Sequence, residues 1–164
     1  SDPDTGNGQE NDTDVAMLSV LPMDNANNRE QLGDVLALSR WEHAFLLFDL
    51  SAQQAPVEQA VLRIYHHGFP EPLNLHVASA APWSSFSGPP EVTHIHRDNT
   101  SLLSTIGNTE TGYLDIDITD YINARINDNG IVSLELSTDH DIWSRIDSLY
   151  GGYPPEILLT SIQQ

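Results

Sequence analysis

The fold is decided between residues 44 and 66, which read AFLLFDLSAQQAPVEQAVLRIYH. Toward the end of this stretch, Leu62 and Ile64 alternate with Arg63 and Tyr65, which is the period-two pattern of a strand with one buried face. The beginning is an apolar run of strand length, and polar residues with a proline separate the two segments. We therefore predict two strands here, with Leu62 and Ile64 in the core and Arg63 and Tyr65 on the outer surface.

The same kind of pattern recurs along the chain after residue 13. We predict at least eight strands, and the candidates are Val15 to Leu21, Val35 to Leu38, Ala44 to Leu50, Ala60 to His66, Leu73 to Ala78, Tyr113 to Ile118, Ile131 to Ser137 and Ile157 to Ile162. Helical spacing is found at Thr119 to Ile126, with Thr119 as the expected N-cap. Turn signals such as Asp128-Asn129-Gly130 separate the segments, and no βαβ alternation or phosphate-binding glycine motif accompanies them. The sequence thus predicts an all-β protein, an antiparallel two-sheet β-sandwich (jelly roll) with one short helix.

Charge excludes two classes of partner. The chain has 24 acidic residues against six basic ones and a net charge of -18. All six basic residues are arginines. A surface of this charge repels nucleic acid and anionic membranes, so we expect neither as a partner. The acidic, lysine-free composition is typical of a protein that works in salt water, where ions screen the repulsion between carboxylates.

The first residues differ in composition from the rest. Residues 1–13 read SDPDTGNGQENDT and contain no apolar residue. Such a segment buries too little surface to offset the entropy of ordering it, so we predict an acidic flexible linker over 1–13 and one folded module over 14–164. No signal-peptide pattern precedes the linker. We expect a monomeric module that belongs to a longer, secreted protein.

Three segments resemble the DNRLRE-type domains, a β-sandwich family of secreted bacterial proteins that includes carbohydrate-binding modules. The first is similar to the family's strand, Asp-Leu-Ser turn and "ATLRLY" strand, and reads AFLLFDLS at 44–51 and VEQAVLRIY at 57–65. The second, LDIDITDYI at 114–122, resembles the strand that leads into a helix. The third is similar to the closing element and consists of Ser144-Arg145 followed by PPEIL at 154–158. The resemblance implies a carbohydrate-binding module appended to a polysaccharide-degrading enzyme.

Strand parity, the alternation of inward-facing and outward-facing side chains along a strand, predicts where a polysaccharide would bind. We expect the ligand to lie across an outer sheet face that carries Arg63, Tyr65, His67 and His76. Arginine and histidine donate hydrogen bonds to sugar hydroxyls, and an aromatic ring packs against the C–H face of a pyranose. The alternative is that these residues only form cross-strand pairs on a solvated sheet.

Loop residues complete the predicted binding site. Arg40, Trp41 and His43 are expected at its rim, and Trp143 with Arg145 is a further candidate pair. Each of these tryptophans has an arginine within two residues, so an aromatic platform lies beside a charge-assisted hydrogen-bond donor. Trp83 is predicted instead to cap one end of the sandwich. Among the arginines, Arg63 is the expected partner of a sulfate group.

One segment is rich in hard oxygen ligands. Asp24, Asn25, Asn27, Glu30 and Asp34 lie close together in the sequence, in a stretch that we predict to be a loop. Calcium prefers carboxylate and amide oxygens, so the segment predicts a structural calcium site. Asparagine and aspartate are equally typical of solvated turns, which is the alternative.

Catalytic motifs are absent from the sequence, with neither G-x-S-x-G nor H-E-x-x-H present. We therefore expect no enzymatic activity. The predicted function is a non-catalytic carbohydrate-binding module that holds a covalently linked catalytic domain on a marine algal polysaccharide, with agarose or porphyran-type galactan favoured over alginate because of the net charge. The alternatives are an alginate-binding module, a structural or adhesive cell-surface module, and a small polysaccharide lyase.

Overall fold

The computed structural model describes residues 14–28, 33–68, 72–78, 82–85, 101–107, 110–141 and 143–163. They form two antiparallel sheets and one short helix, which confirms the predicted all-β sandwich. The predicted linker, residues 1–13, lies outside the described residues. In chain order the elements are β1 Asp14–Val20, β2 Asp24–Asn27, β3 Val35–Leu38, β4 Ala44–Asp49, β5 Gln59–His66, β6 Leu73–Val77, β7 Leu102–Ile106, β8 Gly112–Asp117, α1 Thr119–Ile126, β9 Ile131–Thr138, β10 Ser144–Asp147 and β11 Glu156–Gln163.

The two sheets share one core. The five-stranded sheet has the order β2-β4-β9-β6-β7, and the six-stranded sheet has the order β1-β11-β5-β10-β3 with β8 paired to β5. Their inner faces meet in a cluster that includes Phe48 and Leu134 from the first sheet and Leu62 and Ile64 from the second, all fully buried. Full burial of each such side chain contributes about 1.5–3 kcal/mol, so this alternation is the main determinant of the fold.

All eight predicted strands are present, and none of their ends differs from the prediction by more than one residue. Three further strands, β2, β7 and β10, were not predicted because they are short and carry little apolar alternation. Strand β2 is the clearest case, since its sequence is DNAN. Its asparagines contact other parts of the sandwich through hydrogen bonds. Asn27 Oδ1 accepts from the backbone N of Ala37 at 2.9 Å, and Asn25 Oδ1 accepts from the backbone N of Leu149 at 2.6 Å.

The helix begins at Thr119 as predicted, but its capping differs. Ile118 occupies the N-cap position and makes no side-chain capping bond. The Thr119 hydroxyl instead accepts from the backbone N of Ala60 at 3.0 Å and donates to Asp117 at 2.7 Å. The threonine therefore fastens the helix to β5. No helix in the described part of the chain is long and apolar enough to span a bilayer.

Candidate functional site

Three tyrosines cluster on the outer face of the six-stranded sheet. Tyr65 on β5 lies directly opposite Tyr113 on β8, and their ring centroids are 5.4 Å apart at an interplanar angle of 89°. Tyr153, in the loop before β11, stacks on Tyr65 with centroids 4.4 Å apart and an angle of 20°. The side chains of Tyr113 and Tyr153 are 51% and 49% exposed. We call these three residues the tyrosine platform.

An arginine–carboxylate pair borders the tyrosine platform. Arg63 Nε and Nη2 donate to the two oxygens of Asp115 at 2.8 and 2.9 Å, and the guanidinium lies 5.3 Å from the ring centroid of Tyr113. The hydrogen bond from Arg63 holds the pKa of Asp115 below its ordinary value, and the same bond raises the pKa of Arg63. The donor fork of Arg63 is thus occupied by a neighbouring side chain.

A second carboxylate fixes the loop that carries Tyr153. Asp147, on β10, contacts His67 Nε2 through one oxygen at 2.7 Å and accepts from the backbone N of Tyr153 through the other at 2.9 Å. The His67 ring in turn contacts Tyr65 edge-on, with centroids 5.5 Å apart. Because one oxygen of Asp147 contacts His67 and the other accepts from Tyr153, this carboxylate holds both residues beside Tyr65.

Arg145 and Trp143 continue this surface along β10. Arg145 faces outward because its neighbour Ile146 packs in the core, and its carbonyl accepts from the backbone N of His67 at 3.0 Å. Its guanidinium lies 5.6 Å from the ring centroid of Trp143, whose side chain is exposed. Of the residues predicted to bind ligand, the structure therefore brings together Arg63, Tyr65, His67, Trp143 and Arg145. We call this surface the outer face.

A groove of about 360 Å³ extends the outer face toward the edge strand β1. Its lining includes Arg63 and Asp115 together with Met17, Gln59 and Thr160. The surface thus offers an aromatic platform, paired charges and a groove with both polar and apolar lining on one side of the sheet, and groups of this kind can contact both the hydroxyls and the C–H groups of an elongated ligand.

The structure does not place His76 and His43 on this face. His76 is on β6 and lies opposite Glu135 on β9, in the five-stranded sheet. The fully buried Glu135 contacts His43 Nδ1 at 3.0 Å and His76 Nδ1 at 3.8 Å. The prediction of a single face is corrected on this point, because strand parity shows which residues point outward but not which sheet a strand joins.

The outer side of the five-stranded sheet is covered. Ser133 and Glu135 alternate with the core residues Leu134 and Leu136, which is the pattern of solvated positions, yet both are fully buried, as are the outward-facing Phe45 and Leu47. Trp83 packs against Phe45 and donates from Nε1 to the Ser133 hydroxyl at 2.8 Å. Trp83 is therefore a cap over this sheet face, and the prediction that it caps an end of the sandwich is corrected.

Glu135 makes native stability depend on the protonation of His43. Burial alone would lower the pKa of His43, but the hydrogen bond and the charge of Glu135 raise it above the ordinary value. A raised native pKa stabilises the fold below the unfolded value of about 6.5, and this stabilisation disappears as the pH rises through the native pKa. In Glu135→Gln the charged partner is lost. We expect the parent's advantage in unfolding free energy over this variant to be largest, at about 1.5–3 kcal/mol, near pH 6 and to shrink toward pH 9.

Urea unfolding of both proteins across this pH range measures the difference. The variant changes the contacts of Glu135 with both His43 and His76, so comparing parent and variant measures what the Glu135 charge contributes to the two histidines together. Two unfolding curves separated by the same free energy at every pH would show that protonation of His43 is not coupled to Glu135.

Arg40 and Trp41 lie in the loop between β3 and β4, at one end of the sandwich. Arg40 Nε pairs with Asp141 at 3.0 Å, and the backbone N of Arg40 donates to the carbonyl of His140 at 2.7 Å. The Arg40 guanidinium also lies 5.6 Å from the ring centroid of the exposed Trp41. This loop is thus joined to the segment that leads into Trp143, while its last residue, His43, turns toward Glu135.

Three of the five predicted calcium ligands, Asp24, Asn25 and Asn27, lie on strand β2 and not in a loop. One oxygen of Asp24 accepts from the backbone N of Asn25 at 2.8 Å and the other from that of Ser85 at 2.7 Å. The oxygens of Asn25 and Asn27 accept backbone bonds as well. Asp34 is exposed, and Glu30 lies outside the described residues. No group of three or more histidine or carboxylate side chains in the described ranges is arranged to hold a metal, and calcium at this segment stays a prediction.

A comparison with protein families matches residues 7–148 to carbohydrate-binding module family 96. A search of curated proteins finds no match to the chain. Tyr65 and Tyr113 lie within the matched residues, whereas Tyr153 lies beyond them. The match covers strands β1 to β10, leaves out β11 of the six-stranded sheet, and supports the carbohydrate-binding part of the sequence resemblance.

Proposed function

Because the chain belongs to carbohydrate-binding module family 96, we propose that it is a non-catalytic module that holds a secreted enzyme on its polysaccharide substrate. Tethering converts the enzyme's encounter with substrate into an intramolecular event at a high effective concentration. The family accounts for the binding of carbohydrate; the linked catalytic domain and the extracellular location are part of the proposal.

The tyrosine platform is the observation that carries the assignment of the binding surface. Two half-exposed rings, Tyr113 and Tyr153, are fixed at their positions by contacts with Tyr65 and by the hydrogen bond that the backbone N of Tyr153 donates to Asp147. Pre-organised aromatic side chains are typical of binding surfaces because little conformational entropy is lost when ligand binds. The phenol groups and the nearby Arg63 and His67 supply the donors and acceptors that sugar hydroxyls need.

The charge of the chain supports a proposal about the class of polysaccharide. The chain carries a net charge of -18, and the outer face adds carboxylates at Asp117 and at Glu156, which lies opposite Arg63. Because Asp115 already neutralises Arg63, a chain with a carboxylate on every sugar is repelled over most of this surface. We therefore propose a neutral or sparsely charged galactan of the agarose or porphyran type as the ligand, in preference to alginate.

Affinity electrophoresis in gels containing agarose, porphyran or alginate tests the proposal. We expect retardation by agarose or porphyran without cleavage of the polysaccharide. Calorimetry at low and high salt, with and without a chelator, then measures the charge effect and tests the predicted calcium dependence. Alginate affinity is expected to be weakest at low salt, where the repulsion is least screened.

Each contrary result identifies a different error. Tight alginate binding in chelator at low salt, together with no binding to agarose, would contradict the galactan assignment. Absence of retardation in every gel would favour a structural or adhesive module, and the appearance of unsaturated sugar products would favour a lyase.

A further inference from the structure

We propose that Arg145, positioned over Trp143, forms the subsite for a single anionic group on the polysaccharide, a sulfate ester or a carboxylate. The inference rests on the proposed function and adds a location and a chemistry to it. It replaces the prediction that Arg63 binds a sulfate group, because the donor fork of Arg63 is occupied by Asp115.

Arg145 differs from the other described arginines in its ion pairing. In the described part of the chain, Arg40 lies 3.0 Å from Asp141, Arg63 lies 2.8 Å from Asp115, and Arg125 lies 3.1 Å from Asp128. Arg145 makes no ion pair with any described residue, and its guanidinium contacts the ring of Trp143. Among these four arginines, it is the one whose charge is not already neutralised by a neighbouring carboxylate.

The setting of Arg145 suits anion recognition. Contact with the face of an indole orients a guanidinium while its N–H groups stay available to form two parallel bonds to an oxyanion. The backbone is held by the strand, since Arg145 pairs with Ala37 in register and its carbonyl accepts from His67. The charge is thus presented from a fixed position on a rigid element.

The subsite is continuous with the tyrosine platform. His67 bonds to the backbone of Arg145 and contacts the ring of Tyr65, so it bridges the two surfaces. The carboxylate nearest along β10, Asp147, is engaged by His67 and by the backbone of Tyr153. A sugar ring on the platform therefore places a neighbouring sugar of the same chain beside Arg145, and one anionic substituent there meets one positive charge.

Substitution of Arg145 tests the subsite against matched ligands. We expect Arg145→Gln to weaken binding of a sulfated porphyran oligosaccharide by about tenfold and to change the affinity for a neutral agarose oligosaccharide of the same length by less than about twofold. Arg145→Lys, which keeps the charge but loses the fork, should recover part of the loss. Arg40→Gln serves as the comparison, since Arg40 also lies over a tryptophan but its charge is already paired with Asp141. Equal losses for the sulfated and neutral ligands, or no loss for either, would overturn the proposal.

A second measurement probes the subsite without the polysaccharide. In ¹⁵N-labelled protein the side-chain Nε signal of Arg145, assigned by its disappearance in Arg145→Gln, is followed during titration with galactose sulfate and, in a separate arm, with galacturonate. We expect this signal to shift more than the Nε signals of the paired arginines, and the arm with the larger shift identifies the oxyanion. A shift in a protein that binds no galactan would contradict the proposed function and leave the subsite standing. Galactan binding with no shift in either arm would overturn the subsite alone.

Discussion

Replacement of both Tyr113 and Tyr153 by alanine is expected to reduce polysaccharide affinity by at least about thirtyfold, because truncation of aromatic side chains at the centre of a binding surface costs on the order of 2 kcal/mol or more. Both side chains are about half exposed, so they contribute little to the core. Calorimetry with a galactan oligosaccharide measures the affinity, and the melting temperature is expected to stay close to that of the parent. Tyr65 is less suitable for this test because it contacts Tyr113, Tyr153 and His67 at once.

The chain provides a matched control for this double variant. Tyr150 is 73% exposed and makes no ring contact with the platform. Tyr150→Ala removes a similar area of exposed aromatic surface and should leave the affinity unchanged. If the double variant binds like the parent, the ligand lies elsewhere, and the loops that carry Trp41 and Trp143 become the next surface to examine.

Strand positions were predictable because burial of alternate residues is a local property of the sequence. Leu62 and Ile64 point into the core and Arg63 and Tyr65 point outward, as their alternation predicts. The neighbours of a strand in its sheet, however, are not determined by the local sequence. Strands β4 and β5 are consecutive in the sequence, yet they belong to opposite sheets. Parity alone therefore grouped His76 with Arg63, although the sandwich core separates them.

The tyrosine platform shows which parts of the site can be predicted from the sequence. Tyr113 has the same parity as Asp115 on a predicted strand, so its outward direction followed from the alternation although its role was missed. Tyr153 lies in the segment Gly-Gly-Tyr-Pro-Pro, which has no periodicity. Its position depends on the bond between its backbone N and Asp147 on a strand that was itself not predicted. Contacts of this kind arise only from the folded arrangement.

Burial of an outward-facing side chain is equally invisible in the sequence. Glu135 has the alternation of a solvated position, and a carboxylate is rarely buried without partners. In the structure Glu135 is fully buried and has His43 and His76 beside it. The polar character that suggested exposure therefore reflects a buried network, and the exposed binding groups were concentrated on the other sheet.

Replacement of Gly130 by alanine is expected to be strongly destabilising, for a reason that is only half visible in the sequence. The Asp128-Asn129-Gly130 turn predicts a backbone that favours glycine, and φ at Gly130 is 77°. The fold adds a close approach, since a Cβ at this position would lie 2.7 Å from the backbone N and Cα of Ser51. Left-handed strain and the clash together should lower the free energy of unfolding by about 2–5 kcal/mol, a large part of the roughly 5–15 kcal/mol that stabilises a typical domain.

A Gly33→Ala variant separates the effect of backbone strain from that of the steric clash. The φ of Gly33 is 73°, but an added Cβ would meet no described atom within 4 Å, so Gly33→Ala should lose only the backbone term of about 1–2 kcal/mol. Urea unfolding of the two variants measures both losses under the same conditions. The difference between them reports the contact with Ser51, where the carbonyl of Gly130 accepts from the backbone N of Leu50 at 2.8 Å. Equal losses would mean that the backbone at the junction between β4 and β9 can shift to make room for a methyl group. The position of the central strand that carries Glu135 would then depend on its side chains and not on this turn.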